Sequence, residues 1–372
     1  MLLKYIMKNI FVLLFLMCAK TAAKTYRVGI TAHDLYDPTW AIIHHVLSMY
    51  ETIDNTDTWE PYLLLHKNIS DSKTVRNYTY RSLDRKLCSQ MDTVVIGTYS
   101  WELDDKDKYC PNTHLVRFVQ GATYLEGVKN FVKNMSSTAA VSTDFGADTV
   151  WYTPQYKWSE SYLKYMNNAQ TSVEAPYVWT PRVFESRFDE TFTYTPNTAH
   201  NIGIYETNRG IYKMSIIPMI ITEEAYKNNK NITGRANGLG RLSTYRFEKD
   251  FLTRTKAPWT LFKKLGRIPE TWFNNNIGTV ISHQTHCSLN YLYLEALYSG
   301  MALVHNSELL AECGYYYDGF NITAGALAVE NAIRTHDHNT TRRMINDECV
   351  YRFSVNNPKN IQWYERILNN TL

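Results

Sequence analysis

The strongest constraint on the fold lies in residues 278–307, which read GTVISHQTHCSLNYLYLEALYSGMALVHNS. Two short apolar runs, GTVIS and MALVH, flank a segment in which apolar residues recur every three to four positions. This spacing predicts a helix between two buried strands. Gly300 is placed to end the helix, since glycine adopts the left-handed conformation that follows a helix without strain. The stretch therefore predicts a parallel sheet and an α/β fold.

The predicted helix has one apolar stripe, formed by Leu289, Leu292, Tyr293, Ala296 and Leu297. Ser288 precedes the stripe and is a candidate N-cap. Asn290 and Glu295 fall off the stripe, so they are predicted to face either solvent or a ligand.

The same alternation of apolar runs and helical segments occurs on both sides of a proline-rich stretch. Before it, strands are predicted at 26–31, 62–66, 93–97, 115–119 and 148–153, with a helix at 39–53 and a second helix near 158–168 capped by Ser159. After it, strands are predicted at 201–206, 259–264, 278–282 and 301–305, with helices at 214–228, 288–299 and 325–337.

Two α/β units of similar size follow from this pattern. Pro176, Pro181 and Pro196 break regular structure between them, and Pro218 is expected to kink or shorten the helix at 214–228. The predicted organisation is an N-terminal Rossmann-like unit over 25–175, a hinge over 176–200 and a C-terminal Rossmann-like unit over 201–372.

Residues 1–24 have the pattern of a secretory signal peptide. Lys4 and Lys8 precede an apolar run over 10–19, and small residues follow at Thr21 and Ala23. An uncleaved membrane anchor is the alternative, although the run is shorter than the roughly 20 residues that span a bilayer. The pattern predicts a protein of the secretory lumen or a secreted protein, and otherwise one attached to a membrane only through this segment.

Asparagine-linked glycosylation motifs agree with a secretory route. They begin at Asn68, Asn77, Asn134, Asn231, Asn321, Asn339 and Asn369. The sequence therefore predicts a glycoprotein.

The cysteines beyond the leader are odd in number, so at most two disulfides form within the chain. The pairs to test are Cys88 with Cys110 and Cys313 with Cys349, which leaves Cys287. The sequence contains no Cys-x-x-Cys pair and no His-Glu-x-x-His motif, so no metal site is expected.

The charge of the chain gives no sign of a nucleic-acid partner. The formal net charge is +3, and the 39 basic residues are scattered along the chain. A phosphate backbone is usually met by a clustered basic patch.

Polar residues follow both strands of the stretch 278–307. His283 and Gln284 come after the first strand, and His305, Asn306 and Ser307 come after the second. Open α/β sheets bind ligands at the carboxyl edge of their strands, so these side chains are predicted to line one site.

The N-terminus of the intervening helix favours an anion such as a diphosphate at this site, and Glu295 is placed to accept hydrogen bonds from a ribose. A zinc site from His283 and His286 is a weaker alternative, because no third ligand follows at helical spacing.

Three further segments have two interpretations each. His33 and Asp34 follow the first predicted strand and form either a catalytic base or an incidental pair. Residues 234–243, GRANGLGRLS, form either a phosphate cradle or, as we favour, a flexible surface loop. Residues 314–320, GYYYDGF, either stack on a base or sugar or pack between strand and loop.

A family resemblance narrows these alternatives. The residues SHQ, LNYLYLEALYSG, ALVHNS and GYYY over 282–317 resemble a bacterial and viral family of GT-B-type glycosyltransferase-like proteins, catalogued as a domain of unknown function. The likeness extends to DTVWYTPQY, APYVWTPRVFES and NIGIYETNRGIYKMSIIPMI. It implies two Rossmann-like α/β domains facing a cleft, with a nucleotide-sugar donor in the C-terminal domain and an acceptor in the N-terminal domain.

The resemblance also implies roles for particular residues. LEALYSGMALV places Glu295 where GT-B enzymes contact the donor ribose, and Arg209, Lys213 and Arg267 lie where basic residues meet the diphosphate. His283, Gln284, Asn290, His305, Asn306 and Ser307 line the donor pocket in this interpretation.

The chain departs from the family after SHQ, where Thr285, His286 and Cys287 replace Trp-Glu-Asn. Many retaining GT-B enzymes have an acidic group near this position.

The predicted function is transfer of a sugar from a nucleotide sugar to a glycan, glycoprotein or lipid acceptor, with no metal and no further cofactor. A catalytically silent sugar- or nucleotide-binding protein is the alternative. A glycosyltransferase of modified DNA bases is disfavoured by the leader and by the absence of a basic patch.

Overall fold

Two separate sheets organise the chain. The computed structural model describes residues 24–32, 41–65, 72–75, 77–97, 105–121, 124–125, 146–186, 193–208, 212–238, 250–251, 253–262 and 276–372. Within these ranges an eight-stranded sheet precedes a six-stranded sheet along the chain.

The first sheet contains strands β1 to β8 in the order β3-β4-β2-β1-β5-β6-β7-β8. The strands are β1 (Tyr26–Ala32), β2 (Trp59–Leu65), β3 (Ser72–Val75), β4 (Tyr78–Ser82), β5 (Thr93–Ile96), β6 (His114–Val119), β7 (Thr149–Tyr152) and β8 (Thr171–Glu174). Only β3 and β4 pair antiparallel among these described strands. Most residues of the central strands are buried, as expected when helices cover both faces of a parallel sheet.

In the described ranges, five helices accompany the first sheet and the segment after it. They are α1 (Ala41–Asp54), α2 (Arg85–Cys88), α3 (Asp105–Tyr109), α4 (Glu160–Met166) and α5 (Pro181–Glu185). A 3-10 helix over Pro154–Ser159 precedes α4. Helix α1 is the central one, since Val46, Leu47 and Met49 are fully buried in the same core as β1 and β2.

The second sheet is parallel throughout its described strands, in the order β11-β10-β9-β12-β13-β14. Its strands are β9 (Asn201–Ile204), β10 (Thr233–Ala236), β11 (Trp259–Leu261), β12 (Thr279–Ser282), β13 (Ala302–His305) and β14 (Tyr315–Tyr316). Helices α6 (Ile216–Tyr226), α7 (Tyr291–Tyr298), α8 (Ile322–Thr335), α9 (Thr340–Arg352) and α10 (Pro358–Asn369) follow in chain order. Separate apolar cores lie on the two sides of this sheet.

The last helix returns to the first sheet. The indole Nε1–H of Trp59 donates to Asn369 Oδ1 over 2.9 Å, and the Tyr364 hydroxyl donates to the carbonyl of Pro176 over 3.1 Å. Tyr364, Ile367 and Leu368 are buried in the core of the first sheet. The C-terminal unit was predicted to extend over 201–372, but its last helix, α10, packs on the first sheet, in the N-terminal half of the chain. The remaining domain boundaries stay a prediction.

The predicted strands are present, and the structure adds others that the sequence analysis did not find. These are β3, β4, β8, β10 and β14. Strand β10 corrects the favoured interpretation of residues 234–243, because Gly234 to Ala236 pair with both β9 and β11. Residues 239–249 lie outside the described part of the chain.

Three predictions about the helices were specific to one residue: those for Ser159 and Pro218 differ from the structure, and the one for Gly300 is confirmed. Ser159 stands at the N-cap of α4, but its hydroxyl donates to the carbonyl of Tyr156 instead of capping. Pro218 lies in the first turn of α6, where a missing N–H costs no helical hydrogen bond, so it neither kinks nor shortens the helix. Gly300 follows α7 with φ +72°, as predicted.

Both predicted disulfides, Cys88–Cys110 and Cys313–Cys349, are present, and Cys287 is a buried free thiol. None of the described helices is both long and apolar enough to cross a bilayer. The predicted leader falls almost entirely in residues 1–23, which are outside the described ranges.

Candidate functional site

The loops at the carboxyl edges of the two sheets meet each other. The Tyr156 hydroxyl, just after β7, lies 3.5 Å from the Cys287 sulfur, which follows β12. Beside it, the Trp158 and His286 rings lie 5.2 Å apart. The two edges where α/β sheets bind ligands therefore face one another across a shared cleft.

Glu206 follows β9 and is buried at this edge, with an exposed fraction of 1%. Its carboxylate accepts hydrogen bonds from the Ser282 hydroxyl and, over 3.2 Å, from the main-chain N–H of His283. Burial raises the pKa of Glu206 to about 7, although the Ser282 hydrogen bond and the charge of Lys213 oppose the shift. Glu206 was not among the predicted site residues. The sequence gives one indication of it, a charged residue at the end of the apolar run NIGIYE.

His283 lies next to Glu206 and has an exposed fraction of 3%. Its Nδ1 is 2.9 Å from the Tyr317 hydroxyl, and its ring is 4.5 Å from the Phe320 ring. Burial lowers the pKa of His283 to about 4, so the imidazole is neutral at physiological pH. Its Nε2 is buried and has no hydrogen-bond partner within the described residues, which leaves it available to a ligand.

Gln284 and Asn306 lock the loops after β12 and β13 together. The main-chain N–H of Gln284 donates to Asn306 Oδ1, and Asn306 Nδ2 donates back to the Gln284 carbonyl, both over 2.9 Å. Lys213 forms an antiparallel bridge with Gln284 and so belongs to the same cluster. The Oε1 of Gln284 and the Nδ2 of Asn237, which follows β10, are buried without partners in the described part of the chain.

His305 and Ser307 hold the loop after β13. The main-chain N–H of Ser307 donates to His305 Nδ1, so Nε2 carries the proton and donates to the Cys313 carbonyl over 3.1 Å. Burial lowers the pKa of His305 to about 4. The Ser307 hydroxyl donates to the Ser288 carbonyl. Both side chains make protein contacts, and their predicted contact with a donor stays a prediction.

Two predictions about α7 need correction. Asn290, not Ser288, is the N-cap, and its Oδ1 accepts from the Leu292 N–H over 3.3 Å. Glu295 does not face solvent: it has an exposed fraction of 3% and its Oε1 lies 3.7 Å from Nδ1 of His44 in α1. His44 of α1 therefore packs against α7 at Glu295 and Tyr291. The predicted ribose contact of Glu295 stays a prediction.

Four predicted site residues, His33, Asp34, Arg209 and Arg267, lie outside the described residues. The proposed zinc pair of His283 and His286 is not part of a potential metal group in the described ranges. There, the one group of three potential ligands is Glu312, Cys313 and Cys349, and its two cysteines form a disulfide.

Most of the chain, residues 105–368, matches the family described as "Protein of unknown function (DUF2827)". The chain belongs to this family. The resemblance of the SHQ and LVHNS segments to a family catalogued as a domain of unknown function is thereby confirmed. No curated protein matches the sequence.

Solved structures of glycosyltransferases share the fold of this family member. An α-glucosyltransferase in complex with UDP and a 13-mer DNA containing an HMU base is 10% identical, with a TM-score of 0.57 over 93% of this chain and 99% of its own. A structure described as trehalose-6-phosphate from E. coli bound with UDP-2-fluoro glucose is 9% identical, with a TM-score of 0.55 over 93% and 98%.

Sucrose-phosphate synthase from Thermosynechococcus elongatus is 10% identical, with a TM-score of 0.51 over 93% of this chain and 100% of its own. These likenesses show the fold: the predicted α/β architecture of two Rossmann-like units facing a cleft, as in GT-B glycosyltransferases, is confirmed. Fold alone does not assign an activity, which has to be argued from the site.

Proposed function

We propose that this DUF2827 protein transfers a sugar from a nucleotide-sugar donor to an acceptor, without a catalytic metal. One observation carries the proposal: His283 Nε2, Gln284 Oε1 and Asn237 Nδ2 are buried, have no partner within the described residues, and follow strands at the sheet edge that faces the first half. A buried polar atom without a partner costs free energy, so such atoms usually meet a ligand or water.

The donor's diphosphate needs positive charge or oriented N–H groups. Lys213, whose main chain pairs with Gln284 and whose charge acts on Glu206, supplies an ammonium group, and the N-terminus of α7 supplies main-chain N–H groups. In this proposal Arg209 and Arg267 add further charge, and Glu295 and Asn290 approach the ribose. His283, Gln284, His305, Asn306 and Ser307 form the wall of the donor pocket, and His33 with Asp34 activates the acceptor.

Neutral polar groups suit the sugar of the donor. His283 is neutral near pH 7, and the carboxyl group of Glu206 changes protonation there. The neutral imidazole of His283 hydrogen-bonds hydroxyls without adding charge next to the diphosphate. Glu206 also fixes the main chain at His283, so it positions the residue that would contact the donor.

A catalytically silent nucleotide- or sugar-binding protein is the second candidate. His286 stands where the family resemblance leads us to expect the glutamate of Trp-Glu-Asn, and its ring lies 5.2 Å from the Trp158 ring. An imidazole has no carboxylate oxygens, so it cannot take over the role of an acidic side chain at this position. This observation specifically favours binding without turnover.

Binding of the donor is tested by calorimetry with UDP and GDP in the presence of EDTA. We expect one nucleotide to bind the wild type and to bind Lys213→Ala roughly tenfold more weakly, a loss of about 1.4 kcal/mol. Lys359→Ala, at an exposed lysine in the first turn of α10, is the matched control and should bind as the wild type does. If neither nucleotide binds the wild type, the proposal is wrong.

We also propose that the protein is a glycoprotein of the secretory lumen and that its acceptor is a glycan, glycoprotein or lipid. Asn77, Asn231 and Asn321, which begin glycosylation motifs, are exposed and accessible to modification. Enzymatic deglycosylation of protein from its native host should lower its mass. An unchanged mass would contradict the secretory assignment.

A further inference from the structure

An aromatic platform lies on the side of the first sheet, next to the junction of the two halves. We define it by Tyr124, Trp158 and Tyr162. The Tyr124 ring lies 6.1 Å from the Trp158 ring and 5.2 Å from the Tyr162 ring, both nearly edge-to-face. Tyr124 and Trp158 are 44% and 46% exposed, which is unusual for such large rings that could pack in a core.

The platform is continuous with the junction of the two halves. Trp158 contacts the exposed His286, from the loop after β12, at a ring distance of 5.2 Å. Tyr156, two residues before Trp158, contacts Cys287. A molecule stacked on Trp158 would therefore lie next to the segment that follows His283 and Gln284.

Two buried polar atoms belong to the chain segment that carries Trp158. The Oε1 of Gln155 and the Oγ1 of Thr153 are buried, at exposed fractions of 7% and 1%, and neither atom has a partner in the described residues. Gln155 and Trp158 are three residues apart in the 3-10 helix, so they share one face. The side-chain amide N–H of Gln155 donates to the Tyr156 hydroxyl oxygen, so the side-chain carbonyl oxygen of Gln155 remains as an acceptor.

This combination fits a sugar ring. The C–H face of a pyranose packs on an aromatic face, and its hydroxyl groups donate hydrogen bonds to carbonyl and hydroxyl oxygens. A pocket of aromatic surface with a few oriented polar groups is the usual form of a small-molecule site.

The charges around the platform disfavour nucleic acid, whose bases also stack on aromatic rings. Lys157 lies 3.7 Å from Glu174, and the helix that follows carries both Glu160 and Lys164. Within the described residues, these mixed charges form no basic surface for a phosphate backbone.

We propose that the aromatic platform binds the sugar ring of a neutral saccharide acceptor. This inference rests on the proposed function in one respect, namely that the saccharide is the acceptor of the transfer. Trp158 stacks on the ring, and Gln155 and Thr153 accept hydrogen bonds from its hydroxyl groups.

The test is saturation-transfer NMR and calorimetry with the methyl α-glycosides of glucose, galactose, mannose and N-acetylglucosamine, and with oligothymidylate as the nucleic-acid probe. At least one glycoside should bind the wild type. Trp158→Ala should weaken it roughly tenfold. Gln155→Leu, which keeps the side-chain volume and removes the acceptor, should weaken it as well. Tyr165→Ala, at an 83% exposed tyrosine in α4, the helix that also carries Tyr162, should leave binding unchanged.

The proposal is overturned if no glycoside binds, if Trp158→Ala and Tyr165→Ala bind alike, or if oligothymidylate binds in place of the glycosides. The failure of the proposed function has a different signature. In that case a glycoside still binds at Trp158, whereas UDP and GDP do not bind.

Discussion

The imidazole Nδ1 of His44 lies 3.7 Å from the carboxylate Oε1 of Glu295, and both side chains are buried. His44 belongs to α1 of the first half, and Glu295 belongs to α7 of the second. The His44 Nε2–H also donates to the Thr180 carbonyl over 3.1 Å, and the ring stacks on Tyr291 at 4.5 Å. This pair therefore joins the two halves beneath the cleft.

Loss of the Glu295 carboxylate should destabilise the junction between the halves. Glu295→Ala leaves His44 buried beside a cavity, and we expect the free energy of unfolding to fall by about 3 kcal/mol in urea denaturation. The double variant with His44→Ala should show a coupling energy of about 1 kcal/mol or more. Strictly additive effects would contradict a direct interaction. Calorimetry on folded Glu295→Ala then tests the ribose contact, since unchanged nucleotide affinity would refute it.

The stability of the protein should depend on pH through Glu206. Its pKa is raised from 4.5 to about 7 in the folded state, so the folded protein binds a proton that the unfolded chain has already released. The contribution of the protonated group is complete below pH 4.5 and is lost as the pH rises toward 7, an effect of roughly 3 kcal/mol. Urea denaturation across this pH range measures it.

Glu206→Gln serves as the control for that pH profile. The amide keeps the shape and an acceptor for Ser282 but does not titrate, so the difference in stability between variant and wild type should change between pH 4.5 and 7. A difference that stays constant across this range would contradict a raised pKa for Glu206.

Much of the second half could be predicted because its signals are local. Residues 278–307 contain two apolar strands, an apolar helix and Gly300, and each appears where expected. The burial of Glu295 could not be predicted from the period of the helix, because the side chain is covered by His44, distant in sequence.

Other features were predicted incorrectly or not at all because local sequence does not determine them. Ser288 and Asn290 are both good capping residues, and only the path of the chain decides between them. Strand β8 (Thr171–Glu174) was not predicted, because it lies next to Pro176, the first of the prolines that indicated an irregular hinge. The C-terminal helix α10 begins at Asn357 and Pro358, a regular start signal, but nothing local indicates that it packs on the first sheet.

The disulfides should contribute substantially to stability. Cys313 and Cys349 are 36 residues apart, and replacing both by serine should lower the free energy of unfolding by about 4 kcal/mol, because the unfolded chain gains entropy. The result is measured by denaturation of the oxidised proteins. Thiol titration of unfolded, non-reduced protein that lacks residues 1–24 should detect one thiol, Cys287. Three or more thiols would contradict the pairing.

The Asn306 side chain should support both stability and donor binding. Asn306→Ala removes both hydrogen bonds to the Gln284 main chain, which we expect to cost about 2 kcal/mol in denaturation and to weaken nucleotide binding in calorimetry. Asn370→Ala, at an exposed asparagine after α10, is the matched control. Equal behaviour of the two variants would show that Asn306 does not hold the loop.

Turnover of a nucleotide sugar tests the central claim most directly. Purified protein is incubated in EDTA with UDP-glucose, UDP-galactose, UDP-N-acetylglucosamine and GDP-mannose, each with and without a methyl glycoside, and the released nucleotide is quantified. We predict release from at least one donor, increased by a glycoside that binds at Trp158 and reduced by Lys213→Ala but not by Lys359→Ala. Nucleotide binding without release from any donor would contradict the transferase and favour the silent binding protein.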